Sequence, residues 1–555
     1  MMSVIVKVLR TLRVAVLLAA TACGGGSSGG GSMTGSSTGG GTGTSAPERT
    51  DVLTYHYDTA RSGANLTETV LTPANVNSNS FGLLRTLAAD GLVDAAPIVV
   101  TGVSINGGAH TVVYVASEHD SVYAYDADDG TMLKQVSLLP SGETPSDDRG
   151  CGQVAPEIGI TSTPVVDKSQ GPNGTLFVVA MSKDSSGGYH QRVHALDLAS
   201  LADRMPATLV QGAFPGAGPN SSNGQLSFEP GQYKERGALL LTQGQLITVW
   251  GSHCDISPYN VWIMGYRESS LTQTQVLNLT PNGSMGSIWH VSGLAVDSGG
   301  ALYGILANGS FDTTLAADGM PGQGDYGNAA VRLSISTASN SLAVTDYFTP
   351  FNTHMESAED QDFGSGSPMV LPDQTDTAGN TQHLLFTAGK DGAIYLLDRD
   401  NMGKYASGGN QIYQELAGAL GGGGLFSAPA YFNGTVYVGP NGGPLYAYAF
   451  DNARLSATPS SKTSAAFSYP GTSPSVSADG TSNAIVWAIQ SSAGSAAVLH
   501  AYNPTNLAEE YYNSAQAASQ RDAIGNGNKY ITPVVADGKV LVGTPTGVAV
   551  FGLLK

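Results

Sequence analysis

Carboxylates, amides, histidines and one tryptophan recur in short loops of this 555-residue chain, each flanked by brief apolar runs. They are Glu118-His119-Asp120, Glu157, His253 and Asp255, Trp289-His290, Asn308, Asp312, Asp360 and Asp362, Lys390-Asp391, and Asn441. Asp, Glu and Asn oxygens are hard donors, of which calcium takes about six to eight. A carboxylate near a histidine can move protons. No histidine–carboxylate pair here has the spacing of a hydrolase motif, and no cysteine stands in Cys-x-x-Cys or another metal-ligand spacing. Taken singly, Asp, Asn and Gly in such loops usually just close turns. Their chemistry therefore depends on a fold that gathers them.

The elements around them repeat. Ala96-Pro97-Ile-Val-Val100, Val112-Val-Tyr-Val-Ala116 and Ser121-Val-Tyr-Ala-Tyr-Asp126 are strand-like runs bounded by Gly and Asp turns. Similar starts follow at Pro164, Ala238, Leu294, Pro368, Pro429, Pro474 and Pro533, eight units in all at a spacing of about 62 residues. Compact propeller repeats run about 40–50 residues, and long loops account for the excess. The pattern predicts an all-β fold, a single β-propeller of eight four-stranded blades. Seven blades stay open if the unit at Ala238 is misread. The last unit stops at Val548-Ala-Val-Phe551, so Gly82-Leu-Leu-Arg-Thr-Leu87 is expected to supply its fourth strand and close the ring. Residues 506–521 would form at most a short helix. In such a ring, the loops leading into the innermost strands share a face with those between second and third strands. The polar residues above are thus expected on one rim, as a candidate binding site.

The N-terminus reads as an export signal. Lys7, Arg10 and Arg13 precede an apolar run too short to span a bilayer, and Ala20-Thr21-Ala22-Cys23 is similar to a bacterial lipobox. The reading is a signal over 1–23 with Cys23 acylated, or else an ordinary secretory signal, then a Gly/Ser tether over 24–50 and the body over 51–555. This implies a lipid-anchored cell-envelope protein that meets the membrane through its N-terminus. Gly24, where retained lipoproteins commonly carry Asp, favours the outer membrane. Cys151 and Cys254 remain, and in an oxidising compartment they are expected to form one disulfide between neighbouring blades. With 44 acidic against 25 basic residues, a net charge of −19 excludes nucleic acid as a natural partner. Charged residues are only 12 % of the chain, against roughly 25 % in ordinary domains, as in exported β-proteins.

Tyr55-His-Tyr-Asp-Thr-Ala-Arg-Ser-Gly-Ala-Asn65, Leu71-Thr-Pro-Ala-Asn-Val76 and Lys390-Asp-Gly-Ala-Ile-Tyr-Leu-Leu-Asp-Arg399 resemble segments of the pyrroloquinoline quinone (PQQ)-dependent dehydrogenases. The resemblance covers roughly residues 51–555. Glu118-His-Asp-Ser-Val-Tyr-Ala-Tyr-Asp126 and Glu157-Ile-Gly-Ile-Thr-Ser-Thr-Pro164 are closer still to bacterial exported propellers with quinoprotein-like repeats and no assigned reaction. The resemblance implies that Trp289 stacks under the quinone and that Lys390 contacts it. It implies that Asn308 offers an oxygen to calcium, and that Asp360 or Asp362 ligates the metal and serves as general base. Several family features are absent: an adjacent cysteine pair, a carboxylate near Ser182-Lys183, a tryptophan closing each repeat, and Cys-x-x-Cys-His.

Three functions follow. The first is an envelope propeller that binds a small ligand or a protein partner, without full quinoprotein catalysis. The alternative is a PQQ- and calcium-dependent dehydrogenase of an alcohol or sugar with altered metal ligands. A hydrolase or lyase built on His253 or His290 ranks last.

Overall fold

The computed structural model describes residues 49–336, 338–339 and 341–555. The expected signal with Cys23 and the expected tether, up to residue 48, lie outside the described residues. Arg49 and Thr50 already bond to the body, through Thr111 Oγ1 (2.7 Å), Asp128 (2.8 Å) and Asp537 Oδ1 (2.6 Å). Among the described residues no helix is long and apolar enough to cross a membrane.

The described residues build eight antiparallel blades in a ring. Their innermost strands are Ile98–Ile105, Val165–Asp167, Leu240–Thr242, Ala295–Val296, Met369–Val370, Ala430–Phe432, Ser475–Asp479 and Val534–Ala536, which number blades 1 to 8. The unit at Ala238 is a true blade, which removes the seven-bladed alternative. Phe81–Ala88 pairs antiparallel with Gly547–Leu553, so the N-terminal strand completes blade 8 as expected.

The core lies between blades. In the second strand of blade 1, Val112, Tyr114 and Ala116 pack on blade 2, while Val113 and Val115 pack on blade 8. In blade 7, Trp487 and Ile489 face blade 8, and Val486 and Ala488 face blade 6. A strand covered on both faces is apolar at successive positions, which is why these runs read as continuous. Each buried Val or Leu contributes about 1.5–3 kcal/mol. Three of the four tryptophans, Trp250, Trp262 and Trp487, are fully buried in these layers.

One expectation is corrected. Residues 506–521 form the outer strand Asn506–Asn513 of blade 7 and two single 3-10 turns, Ser514–Gln516 and Ala518–Gln520. Pairing with Val498–Asn503 and burial of Leu507 and Tyr512 override the helical preference of Ala-Glu-Glu.

The segment after residue 50 runs around the inside of the ring. Val52 pairs with Val99 of blade 1. The carbonyls of Leu53, Thr59, Ala60, Ser62 and Gly63 accept from Val166, Val296, Val370, Tyr431 and Val476 at 2.7–3.0 Å. Asn65 donates to Val535 O (2.9 Å). All these partners lie within innermost strands, beyond the loops that lead into them, so the segment forms a floor beneath the mouth of the channel.

At its centre Arg61, 1 % exposed, donates to Leu294 O (3.1 Å), Thr54 Oγ1 (2.9 Å) and Tyr55 O (3.0 Å), with Leu239 O at 3.5 Å. The Tyr55–Asn65 motif is thus a structural seal. Cys151 and Cys254 are bonded across 103 residues, tying a segment on blade 2 to a loop of blade 3.

Candidate functional site

The loops leading into the inner strands converge at the mouth, where two compartments open side by side. The first, about 260 Å³, is lined by Trp289, Phe426, Tyr469 and Tyr530 with Asp255, Asp360, Asp362 and Lys390. Trp289, the one tryptophan left out of the core, lies 6.1 Å from the Phe426 ring and 6.2 Å from the Tyr530 ring. Tyr469 and Tyr530 join hydroxyls at 2.6 Å. The wall is therefore aromatic and half-open, suited to a flat ring.

Its charged end is built by three loops that pin one another. Gly364 lies so close to Leu306 that a side chain there would meet that residue's backbone at 2.3 Å. Asn328 holds the same loop by accepting from Phe363 N (2.8 Å). Asp362 accepts from Asn308 N (2.8 Å), and Asn308 Nδ2 donates to Asp360 (3.2 Å). Lys390 Nζ sits 2.9 Å from Asp362 and 2.9 Å from Asp360. Burial pushes the Asp362 carboxyl up despite Lys390. Burial opposes the Lys390 charge, but the two carboxylates outweigh it and its pKa is raised.

This cluster does not fit calcium. The Lys390 ammonium occupies the position between both carboxylates that a cation would need. Among the described residues no group of three or more His, Cys, Asp or Glu side chains gathers for a metal. Where the family resemblance implies a further carboxylate, Ser182 hydrogen-bonds Glu143, which Arg192 already holds with two bonds of 2.7 Å. A planar anion does fit: Trp289 offers a face, and Lys390 and Arg236 offer charge at the edges.

The remaining rim residues divide. Asp255 lines the compartment and accepts from Tyr259 OH (2.9 Å). His119 and Glu157 pair at 2.9 Å, outside both compartments. Asp312 and Asp391 are turn formers: Asp312 accepts from Thr314 N (2.8 Å) and Gln323 N (2.7 Å), Asp391 from Tyr395 OH (2.6 Å). Asn441 meets Gly424 through its backbone. His253 and His290 are buried and held neutral, lowered to about 3 chiefly by burial, and they sit behind the wall. Asp120 is fully buried with both oxygens unpartnered and its pKa raised by burial. Glu118 accepts from Gly159 N (2.8 Å) and Thr161 Oγ1 (3.0 Å). Gly159 permits this contact, because a side chain there would strike Glu118 O at 2.4 Å.

The second compartment, about 290 Å³, shares Gln153, Arg236 and Tyr530 with the first and adds Asp94, Lys529, Leu92, Val154 and Val291. The sequence reading passed over Asp94, Gln153, Lys234, Arg236, Phe426, Tyr469, Lys529 and Tyr530. A signal was present for three of them. Asp94, Phe426 and Tyr530 each stand three residues before the proline of a repeat start, Pro97, Pro429 and Pro533. The disulfide also borders the mouth, with Cys254 in the wall of the first compartment and Gly152 in that of the second.

No family model matches the sequence, and no curated protein matches it. Among solved structures, the chain is similar to the quinohemoprotein alcohol dehydrogenase from Comamonas testosteroni, at TM-score 0.59 and 15 % identity over 91 % of this chain and 81 % of that one. It is similar to quinohemoprotein alcohol dehydrogenase ADHIIG from Pseudomonas putida HK5, at TM-score 0.57 and 14 % identity over 91 % and 80 %. A europium-containing methanol dehydrogenase aligns at TM-score 0.53 and 12 % identity over 90 % of each chain. At these identities the likeness establishes the eight-bladed quinoprotein-dehydrogenase-like fold, and fold alone does not carry activity.

Proposed function

We propose that this chain is an exported, lipid-anchored propeller of the bacterial cell envelope, outer membrane preferred, that binds a planar anionic ligand of the PQQ type and acts as a binding scaffold, without calcium-dependent alcohol oxidation. The carrying observation is the Lys390 bridge to Asp360 and Asp362, which places an ammonium where the metal of a calcium-dependent quinoprotein would be needed. Trp289 would take one face of the ligand, Arg236 would neutralise a carboxylate, and Lys390, held by Asp360 and Asp362, would contact the ring edge. When bound, such a quinone supplies a two-electron acceptor. Asp362, buried and paired with Lys390, would close the compartment's charged end. The dehydrogenase reading keeps one observation in its favour: Asp360 and Asp362 line the same compartment as Trp289.

Titration of the full chain with PQQ, followed by tryptophan fluorescence, tests the reading, because the other three tryptophans are buried in the core. Saturable quenching is expected with or without calcium, lost in Trp289→Ala and weakened in Lys390→Ala. A flat titration would sink the proposal. Calcium-dependent dye reduction with an alcohol or sugar would replace it with the dehydrogenase.

A further inference from the structure

Arg236 and Lys529 line the second compartment, and Lys234 lines the adjoining first one, which shares Arg236. In a chain with 25 basic residues against 44 acidic ones, none of these three forms an ion pair among the described residues. Lys234 is 6 % exposed, lines the mouth, and its Nζ has no hydrogen-bond partner. Arg236 lies over the Tyr530 ring, 4.8 Å from its centroid, which leaves the guanidinium edge free for a ligand. Tyr530 holds this place with φ +63, a left-handed backbone uncommon for a bulky residue.

The three cations repel one another. Lys234 is lowered to about 7 by burial and then by Arg236, and Lys529 is lowered by the same two causes. Asp94 and Glu118 are near but do not neutralise them. Both are pushed up by burial, Glu118 to about 8 with Asp94 adding to the effect. Glu118 also keeps one buried oxygen without a partner. A self-repelling cation cluster in a dry wall weakens the fold unless an anion settles in it.

We infer that the second compartment is a further ligand site, joined to the first at Gln153, Arg236 and Tyr530, for a small hydroxylated dicarboxylate. Arg236 and Lys529 would take its carboxylates, with Lys234 behind them. Asp94, which lines the compartment, would meet a hydroxyl, with Glu118 buried behind it. Leu92, Val154 and Val291 supply the apolar remainder. A volume of about 290 Å³ is at the small end for ligand sites. This inference needs the mouth to be a ligand site, but it does not need the planar ligand.

Calorimetric titration of the full chain with tartrate and malate, with threitol as the uncharged counterpart of tartrate, tests it. Tartrate or malate is expected to bind saturably and threitol at least about tenfold more weakly. Arg236→Gln and Lys529→Gln should each weaken binding about tenfold, equivalent to about 1.4 kcal/mol. Lys529→Arg should retain binding. Equal binding of threitol, full binding by both glutamine variants, or no heat from either acid at millimolar concentration would overturn the inference. PQQ quenching without acid binding removes this site alone, and acid binding without quenching removes the preceding proposal alone.

Discussion

Arg61 and Lys234 are both cations carried out of water into one channel, and their surroundings differ in kind. Arg61, in the floor, turns its guanidinium onto backbone carbonyls of the floor itself and of blades 3 and 4, and onto a threonine hydroxyl. Burial lowers it only to about 10, so it stays charged. Lys234, at the mouth, has no partner at Nζ and is lowered to about 7. A buried cation whose donors are all met by protein acceptors holds structure together. One left unmet beside a cavity is stabilised only by what enters. The floor is finished without a ligand, and the mouth is not.

The largest expected effect separates the two cations directly. Arg61→Met should cost about 3–5 kcal/mol, because it leaves buried carbonyls unpaired while removing the seal. Lys234→Met should change stability by no more than about 1 kcal/mol, or raise it, because a desolvated unpaired charge is lost. Urea unfolding of both variants measures this, and the opposite ranking would break the comparison.

A more gradual effect comes from pH. His56 and His290 beside Arg61, and His253 beside Lys234, are each lowered from 6.5 to about 3, with burial the main cause. The folded state then binds fewer protons than the unfolded one, so their contribution is present above pH 6.5 and lost as pH falls towards 3. Glu118 and Glu235, raised from 4.5 to about 8, tilt stability the other way, losing it as pH rises through that window. The difference between wild type and His290→Gln isolates one histidine. The acid limb should flatten by about 1.4 kcal/mol per pH unit. An unchanged limb would mean that His290 is protonated in the folded protein.

The smallest effect concerns Lys390, a mouth cation that is met by protein partners. Lys390→Ala empties the place between Asp360 and Asp362. Calcium should then stabilise the variant, by about 1.4 kcal/mol at ten times its Kd, and leave wild type unmoved. A calcium response of the wild type would show that the ammonium yields to a metal.

Most of the architecture was legible from residue order, because the repeat starts at Pro97, Pro164, Pro368, Pro429, Pro474 and Pro533 mark local strand signals that do not depend on distant contacts. Closure by residues 82–87 was legible as well, since the last repeat lacks a strand. The outer strand Asn506–Asn513 was not, because only its neighbour in blade 7 turns a helix-prone run into a strand. Of the candidate site, Trp289, Asn308, Asp360, Asp362 and Lys390 were named from sequence and do meet in space. Asp312, Asp391 and Asn441 were named by the same rule and serve turns or backbone contacts, since residue type cannot say which way a loop side chain points.

What the amino-acid sequence determined by itself is what local chemistry controls: strand-forming runs, turn residues, their period, the acidic balance and the leader-like N-terminus. The tertiary structure alone decided which charges are paired. Lys390 is bridged by two aspartates, Arg61 by carbonyls, and Lys234, Arg236 and Lys529 by no carboxylate among the described residues. Pairing is a matter of a few ångströms between residues far apart in the chain, and electrostatic energy varies steeply over that distance in a dry interior.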